Sequence, residues 1–474
     1  MKFKNTVSIF LSLAILICTI TPAFAEKKTY EPDCPYIFIH GFMGSTIYVD
    51  PDDPDSEAAW PPSTGSIVKT VFKALPALMM FMFTKNYEKL GNKITPLVSE
   101  LFEPVILGPN GEPKDKSGVR FEYPPSDMIN SKSQLNFVYD WRLDPIYTAG
   151  LLNDFINYVL DCSGCNQVVI ECHSYGGVVT ATYAKIYGTE KVRAFAFNST
   201  AVFGETYTGE LFKGQLVLNA ESLTSYLKGA VDYSDSEKFL NVLFNTLYKT
   251  GITGKLCDFG NDIVDGIGIQ AMSDILLPMF GGWLSIWSMI PDEMFEDAYA
   301  FVFENVWSNQ KDKRAGLIEK ITDYNTKIRP YKIDTLRNIN NNSNFYVIAR
   351  HGYSAMFMTP SWKNASDSIV DVKYGSFGAT TSEYNSKLDD NYLADKNSEY
   401  ISPDKVIDAS TCLFPEQTWF IKHLSHSRDC DELRNFIKTL LYSNGQKTVS
   451  DFENYPRFLY YDEDADLIIA DKTS

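Results

Sequence analysis

The chain is short of histidine and of positive charge, and it has no apolar run long enough to cross a bilayer. Its five histidines among 474 residues leave a small set of candidates for any general base. Forty-three Lys and Arg face 60 Asp and Glu, a formal net charge of −17. Such a chain repels phosphate backbones and anionic lipid surfaces, so nucleic acid is a poor partner and any lipid contact must be apolar. No hydrophobic run reaches the roughly 20 residues a bilayer span needs, and there is no internal repeat or low-complexity tract.

What is present begins with a leader. Lys2 and Lys4 precede an apolar run from Ile9 to Ile20 and then Ala23-Phe24-Ala25, a small-x-small cleavage site. Residues 1–25 are expected to be removed after Ala25, giving a secreted, extracellular chain whose charge becomes −19 without the two lysines. Cys18 follows Ile17 rather than a small residue, which argues against lipid attachment there. The mature chain keeps Cys34, Cys162, Cys165, Cys172, Cys257, Cys412 and Cys430. Cys172 sits in an apolar strand and reads as a buried free thiol. The other six could form three pairs in an oxidising compartment. Cys162-Ser-Gly-Cys165 has no second CxxC or histidine pair to complete a four-ligand zinc site, so a structural disulfide or idle thiols is the expectation.

From residue 35 short apolar runs alternate with longer amphipathic ones, the pattern of parallel strands joined by crossover helices. Strands are predicted at 36–40, 137–141, 167–172, 192–198, 344–350 and 417–422, and helices at 151–160, 176–187 and 431–441. Residues 205–340 break the alternation with long helical patterns and read as a mainly helical cap. The core is then 26–204 with 341–445, carrying a lid-like insertion at about 50–105, and 446–474 is a polar tail expected to contribute little to catalysis.

Cys172-His173-Ser174-Tyr175-Gly176-Gly177 joins a β-branched strand to a helix. A serine on such a turn projects its hydroxyl above the sheet, and small neighbours are required because the backbone is strained there. Cys172 replaces the usual first glycine of G-x-S-x-G, while Gly176 and Gly177 keep the far side open. Ser174 is therefore the candidate nucleophile, and the Tyr175 amide one oxyanion donor. His40-Gly41-Phe42-Met43-Gly44 supplies a glycine loop after an early strand, with the Met43 amide as the second donor.

Tyr139-Asp140-Trp141-Arg142-Leu143-Asp144-Pro145, some thirty residues before the elbow, resembles the YDWRLxP signature of the lecithin:cholesterol acyltransferase and lysosomal phospholipase A2 family. With the HGFMG loop before it and Asn198-Ser199-Thr200-Ala201 after the next strand, the resemblance spans roughly residues 35–205. It implies an α/β-hydrolase fold with a mostly parallel central sheet, a cap, a lid and a Ser-Asp-His triad acting on phospholipid acyl esters. On the residues alone, Trp141 is expected to pack under the site while Asp140 and Arg142 pair to hold the loops.

In this fold the base follows the last strand, which selects His423 or His426 over His40, His173 and His351. Leu424 two before His426 is similar to the family's G-hydrophobic-x-H ending, which favours His426, whereas the spacing to Leu433 and Phe436 favours His423. The acid should follow strand 344–350. The resemblance implies a GDGTV-like segment, matched by Leu388-Asp389-Asp390-Asn391-Tyr392-Leu393-Ala394 with Asp390 as acid, while Asp389, Asp395 and Asp371 compete. The apolar segment 74–83 reads as a buried helix or as a lid lining an acyl pocket, and 276–289 with Trp283 and Trp287 as its other wall.

The expected activity is secreted hydrolysis or transfer of fatty-acyl groups of lipid esters, at a membrane or micelle surface, through an acyl-enzyme that needs no metal or cofactor. The alternatives are a thioesterase or amidase on the same triad, and a catalytically silent hydrolase fold used for binding. Head group, acyl acceptor and oligomeric state are not legible.

Overall fold

The computed structural model describes residues 30–472 apart from 63, 85, 232–236 and 464, so the leader and Cys18 lie outside the described residues. The apolar runs assemble into one eight-stranded sheet. In chain order its strands are β1 (Tyr36–Ile39), β2 (Gln134–Phe137), β3 (Val168–His173), β4 (Val192–Asn198), β5 (Asn344–His351), β6 (Thr418–Lys422), β7 (Phe458–Asp462) and β8 (Leu467–Ala470). Their spatial order is β8-β7-β6-β5-β4-β3-β1-β2, and every adjacent pair is parallel except β7 with β8.

Central strands buried on both faces need apolar residues at nearly every position, and these have them. Val168, Ile170 and Cys172 of β3, with Phe195 and Phe197 of β4 and Phe345 and Val347 of β5, belong to one core. Val169, Ala194, Ala196, Tyr346 and Ile348 alternate with them into a second core. The helices Pro145–Ser163 and Gly176–Tyr187 cover the first. The helix Asp431–Leu441 covers the second through Leu433, Phe436, Ile437 and Leu440. The protein is thus α/β, with a mostly parallel sheet between flanking helices.

Between β4 and β5 the chain leaves the sheet for a run of helices from Thr206 to Asn342. Trp287, Phe295, Phe303 and Trp307 make a core of their own there. Trp283 instead packs 5.1 Å from Trp141 and 5.8 Å from Phe42. Both Trp283 and Trp287 are fully buried, so they are core residues rather than the wall of an open pocket.

Two expectations are corrected. The strand foreseen at 137–141 is Gln134–Phe137, which ends opposite Ile39, the last residue of its partner β1; Tyr139 to Trp141 belong to the turn that follows. The C-terminal segment 446–474 is part of the core rather than a separate polar tail, because β7 and β8 extend the sheet and bury Leu459, Tyr461 and Ile468 in the second core. β8, at the edge, alternates exposed with buried positions, and β7 is a short aromatic run; both sit among aspartates, which hides them in a polar tail. The seven described cysteines are all free thiols.

Candidate active site

Ser174 stands between the end of β3 and the helix Gly176–Tyr187 with φ 55°, in the left-handed region that non-glycine residues adopt uncommonly. The turn is held by the Ser174 N–H on the Asn198 carbonyl (3.3 Å) and by the Ser174 carbonyl, which accepts from Gly177 (3.0 Å) and Ala201 (3.1 Å). Gly176 abuts the Ile39 and His40 carbonyls, where any Cβ would collide. Gly41 lies against the serine itself, since a Cβ there would fall 2.6 Å from the Ser174 Cβ. Cys172 does not crowd the elbow, because its side chain turns into the first core and its Sγ reaches the Ala196 carbonyl (3.5 Å). Ser174 itself retains only 5% of its surface, so the openly exposed hydroxyl foreseen from sequence is a covered one in this conformation.

The loop after β1 that holds Gly41 also carries Met43, which packs against the first core. A turn closes from the Gly44 N–H to the Gly41 carbonyl (3.2 Å), with Met43 at φ 63°. Among the described residues neither the Met43 nor the Tyr175 backbone N–H has an acceptor, so both are available to a developing oxyanion.

His40 is structural. Its Nδ1 donates to the Gly41 carbonyl (2.8 Å) and its Nε2 accepts from the Ser45 hydroxyl (2.5 Å), and burial pushes its imidazole down to about 4. Tyr139 stacks on that ring at 4.3 Å and donates its hydroxyl to the His40 carbonyl (2.6 Å). Trp141 donates to the Ser45 carbonyl (3.0 Å). Asp140 and Arg142 form a buried, two-pronged pair at 2.6 and 2.9 Å, and Arg142 goes on to the Ser117 and Val105 carbonyls. The Tyr139–Arg142 segment therefore braces the loop after β1, as its residue types suggest.

Of the two candidate bases, His426 meets a carboxylate. Its Nδ1 donates to Asp367 Oδ2 at 2.8 Å and its backbone N–H to the Asp367 carbonyl at 2.7 Å. The neutral ring then carries its proton on Nδ1 and leaves Nε2 free to accept one. His173, beside Ser174, donates from Nε2 to the His426 carbonyl (3.1 Å), with the two rings 4.6 Å apart; burial, then the neighbouring His426 and Arg350 charges, keep His173 neutral. These contacts bring the base loop to the elbow, although among the described residues the Ser174 hydroxyl makes no hydrogen bond to His426. Catalytic hydrogen bonds are often slack before substrate binds. His423 instead donates its N–H to the His351 carbonyl (2.8 Å) and packs on Tyr460.

The carboxylate that His426 meets is Asp367, not Asp390. Asp390 is exposed at the start of a short helix that Asp389 caps by accepting from the Asn391 N–H (2.8 Å), and Asp395 is exposed too. Asp371 is buried but accepts from Thr206. Asp367 follows β5 and lies between Ser174 and His426 along the chain. Burial would raise its carboxyl, but the His426 imidazole and the Val370 and Ile369 amides hold it below the ordinary range, so it is ionised at neutral pH. A signal for it existed. Asp367-Ser368-Ile369-Val370 keeps the Asp and Val of the GDGTV-like pattern, and Ser368 takes φ 87°, a glycine conformation, where the pattern has glycine.

A cavity of about 270 Å³ lies behind the Tyr139 ring against Val119, Phe121 and Leu143, and its lining includes neither Ser174 nor His426. No group among the described residues has the make-up of a metal site.

No family model matches the chain, and no curated protein matches it. Five solved chains do. One of them, from the crystal structure of the Tle4-Tli4 complex, is 14% identical with a TM-score of 0.21, and the match covers 38% of this chain and 48% of that one. At that level the likeness carries no argument, and the site's geometry stands by itself.

Proposed function

We propose that the chain is an exported serine esterase with an α/β-hydrolase fold, similar to the lecithin:cholesterol acyltransferase and lysosomal phospholipase A2 family, that hydrolyses or transfers fatty-acyl groups of lipid esters. The observation that carries the reading is the Asp367–His426 pair on loops after β5 and β6, at the end of the sheet where Ser174 occupies a strained turn. The chain order Ser, Asp, His is the one this fold uses.

Chemistry follows from the groups in place. His426 Nε2 takes the Ser174 proton as Oγ attacks the ester carbonyl, and Asp367 stabilises the imidazolium that forms. The Met43 and Tyr175 amides hold the oxyanion, each worth roughly 10²–10³ in kcat by analogy with such donors. The imidazolium returns its proton to the leaving alcohol, and water or a second alcohol takes the acyl group from Ser174 by the reverse steps.

Lipid as substrate is supported by exposed apolar groups on the helix Thr64–Thr84. Phe72, Met80 and Phe83 are 59, 57 and 85% exposed, while Phe81 is buried 5.7 Å from Phe259. In this reading the helix is a lid that meets an apolar surface and uncovers Ser174, and the helices from Thr206 to Asn342 are the cap. No described helix is long and apolar enough to cross a membrane.

The test is acyl-chain and head-group profiling of the mature protein, with Ser174→Ala, His426→Ala and His423→Ala in parallel. Ester turnover is expected, abolished by the first two and retained by the third. Turnover surviving Ser174→Ala, or none with any ester, would leave the silent binding module as the better reading.

A further inference from the structure

Beneath the reacting groups, a buried arginine joins the loop bearing His426 to the strands bearing Ser174. Glu171 on β3, Asn198 on β4 and Arg350 on β5 are all buried, and they alternate with residues of the first core, which puts them on the second face. Tyr36 donates its hydroxyl to Glu171 Oε2 (2.6 Å), and Asn198 Nδ2 donates to Glu171 Oε1 (3.0 Å). Asn198 Oδ1 accepts from Arg350 Nε (3.2 Å) and Nη2 (2.9 Å). The amide thus stands as an adaptor between a carboxylate and a guanidinium, its orientation set because only the oxygen can accept.

Arg350 Nη1 turns the other way. It donates to the carbonyls of Ser425 (3.1 Å), His426 (3.2 Å) and Arg428. Three carbonyls converging on one nitrogen curl residues 425–428 around the guanidinium, and the His426 carbonyl is gripped from its other side by His173. A buried guanidinium without a direct carboxylate is tolerated only when its donors are met. Here that requirement dictates the path of the loop. A lysine ammonium would keep the charge but could not span Asn198 and three carbonyls at once, since it lacks the planar fork.

We infer that Arg350 is a positioning residue for the base, setting where His426 Nε2 points relative to Ser174 by holding the backbone of residues 425–428. This rests on the esterase reading of Ser174 and His426. Arg350 touches no reacting atom. Asn198 and Glu171 anchor it to β4 and β3, so the nucleophile's strand and the base's loop share one hydrogen-bonded frame, and such frames couple their members more strongly than isolated pairs.

The experiment uses the mature chain with p-nitrophenyl butyrate, a soluble ester, and the variants Arg350→Met, Arg350→Lys and Arg350→Ala. Arg350→Met is expected to lower kcat about 100-fold, as small misplacements of a catalytic group do, with KM within about threefold of wild type. Arg350→Lys should fall between the two. Millimolar guanidinium chloride, but not sodium chloride, should restore part of the Arg350→Ala rate by refilling the vacated site. Wild-type kcat in a folded Arg350→Met protein would overturn the inference. So would losses that track unfolding in all three variants with no guanidinium rescue, because Arg350 would then be structural only. If wild type itself turns over no ester, the esterase reading fails; if wild type is active and Arg350→Met equals it, the positioning role alone fails.

Discussion

The end of the sheet that carries Ser174 and the paired helices at 64–102 are built on opposite terms. At the sheet, Asp367, His426, His173 and Arg350 are all tied by hydrogen bonds to neighbours on other strands or loops. On the helices, large apolar side chains face solvent beside a few that are buried. Ile252, Tyr248 and Val242, farther along the chain, are exposed too. Under the proposed function the difference separates two jobs, with chemistry held on the hydrogen-bonded end of the sheet and apolar contact left to the helices. Changes in one region should therefore leave the other's measurable intact.

The largest break should come at the acid. Asp367→Asn is expected to lower kcat about 10⁴-fold by removing the group that fixes the His426 tautomer, whereas Asp390→Asn stays near wild type; steady-state kinetics on a soluble ester measure both. A large loss at Asp390 instead would undo the acid's assignment.

Next is the brace under the oxyanion loop. Arg142→Met leaves Asp140 buried and unpaired, and should lose about 3–5 kcal/mol of stability, read as a lower midpoint in urea unfolding. A change within about 0.5 kcal/mol would mean the loop holds without its brace.

A smaller effect concerns pH. Burial, with the Asp367 and Asp371 charges adding, pushes the Glu205 carboxyl up to about 8 against a hydrogen bond from Tyr207, from an ordinary value of 4.5. Between those two values the folded chain keeps a proton that the unfolded chain releases. The native state then binds more protons, and stability falls as pH rises from 4.5 to about 8, levelling above it. Glu205→Gln should flatten that fall, by an amount on the order of a few kcal/mol across the window; urea midpoints at pH 5 and pH 9 decide it. An unchanged slope would assign the dependence to other groups.

The smallest effect sharpens the comparison from its other side. Phe72→Ser, Met80→Ser and Phe83→Ser combined should slow turnover of micellar lipid about tenfold, the equivalent of some 1.4 kcal/mol. Turnover of a soluble ester and the unfolding midpoint should not move. Equal losses on both substrates would make the helix part of the chemistry rather than of access.

The elbow and the core strands could be read from sequence because continuous β-branched runs and two glycines after a serine have few other uses. The brace at Tyr139–Arg142 was legible for the same reason, as a buried pair of opposite charges beside a tryptophan. Asp367 was not, because serines stand where glycines would announce the turn, and Ser368 adopts φ 87° regardless. The strands β7 and β8 were hidden because they are short and set among aspartates, and β8 alternates exposed with buried positions. The covered state of Ser174 depends on packing between distant segments, which local pattern does not encode.

The central claim is that Ser174 is a nucleophile activated by His426 and Asp367. Peptide mapping by mass spectrometry after treatment with a fluorophosphonate tests it most directly. A single adduct on Ser174 in wild type, formed far more slowly in Asp367→Asn and absent in His426→Ala, is the expected result. An adduct on another residue, or an equally fast one on Ser174 without His426, would contradict it.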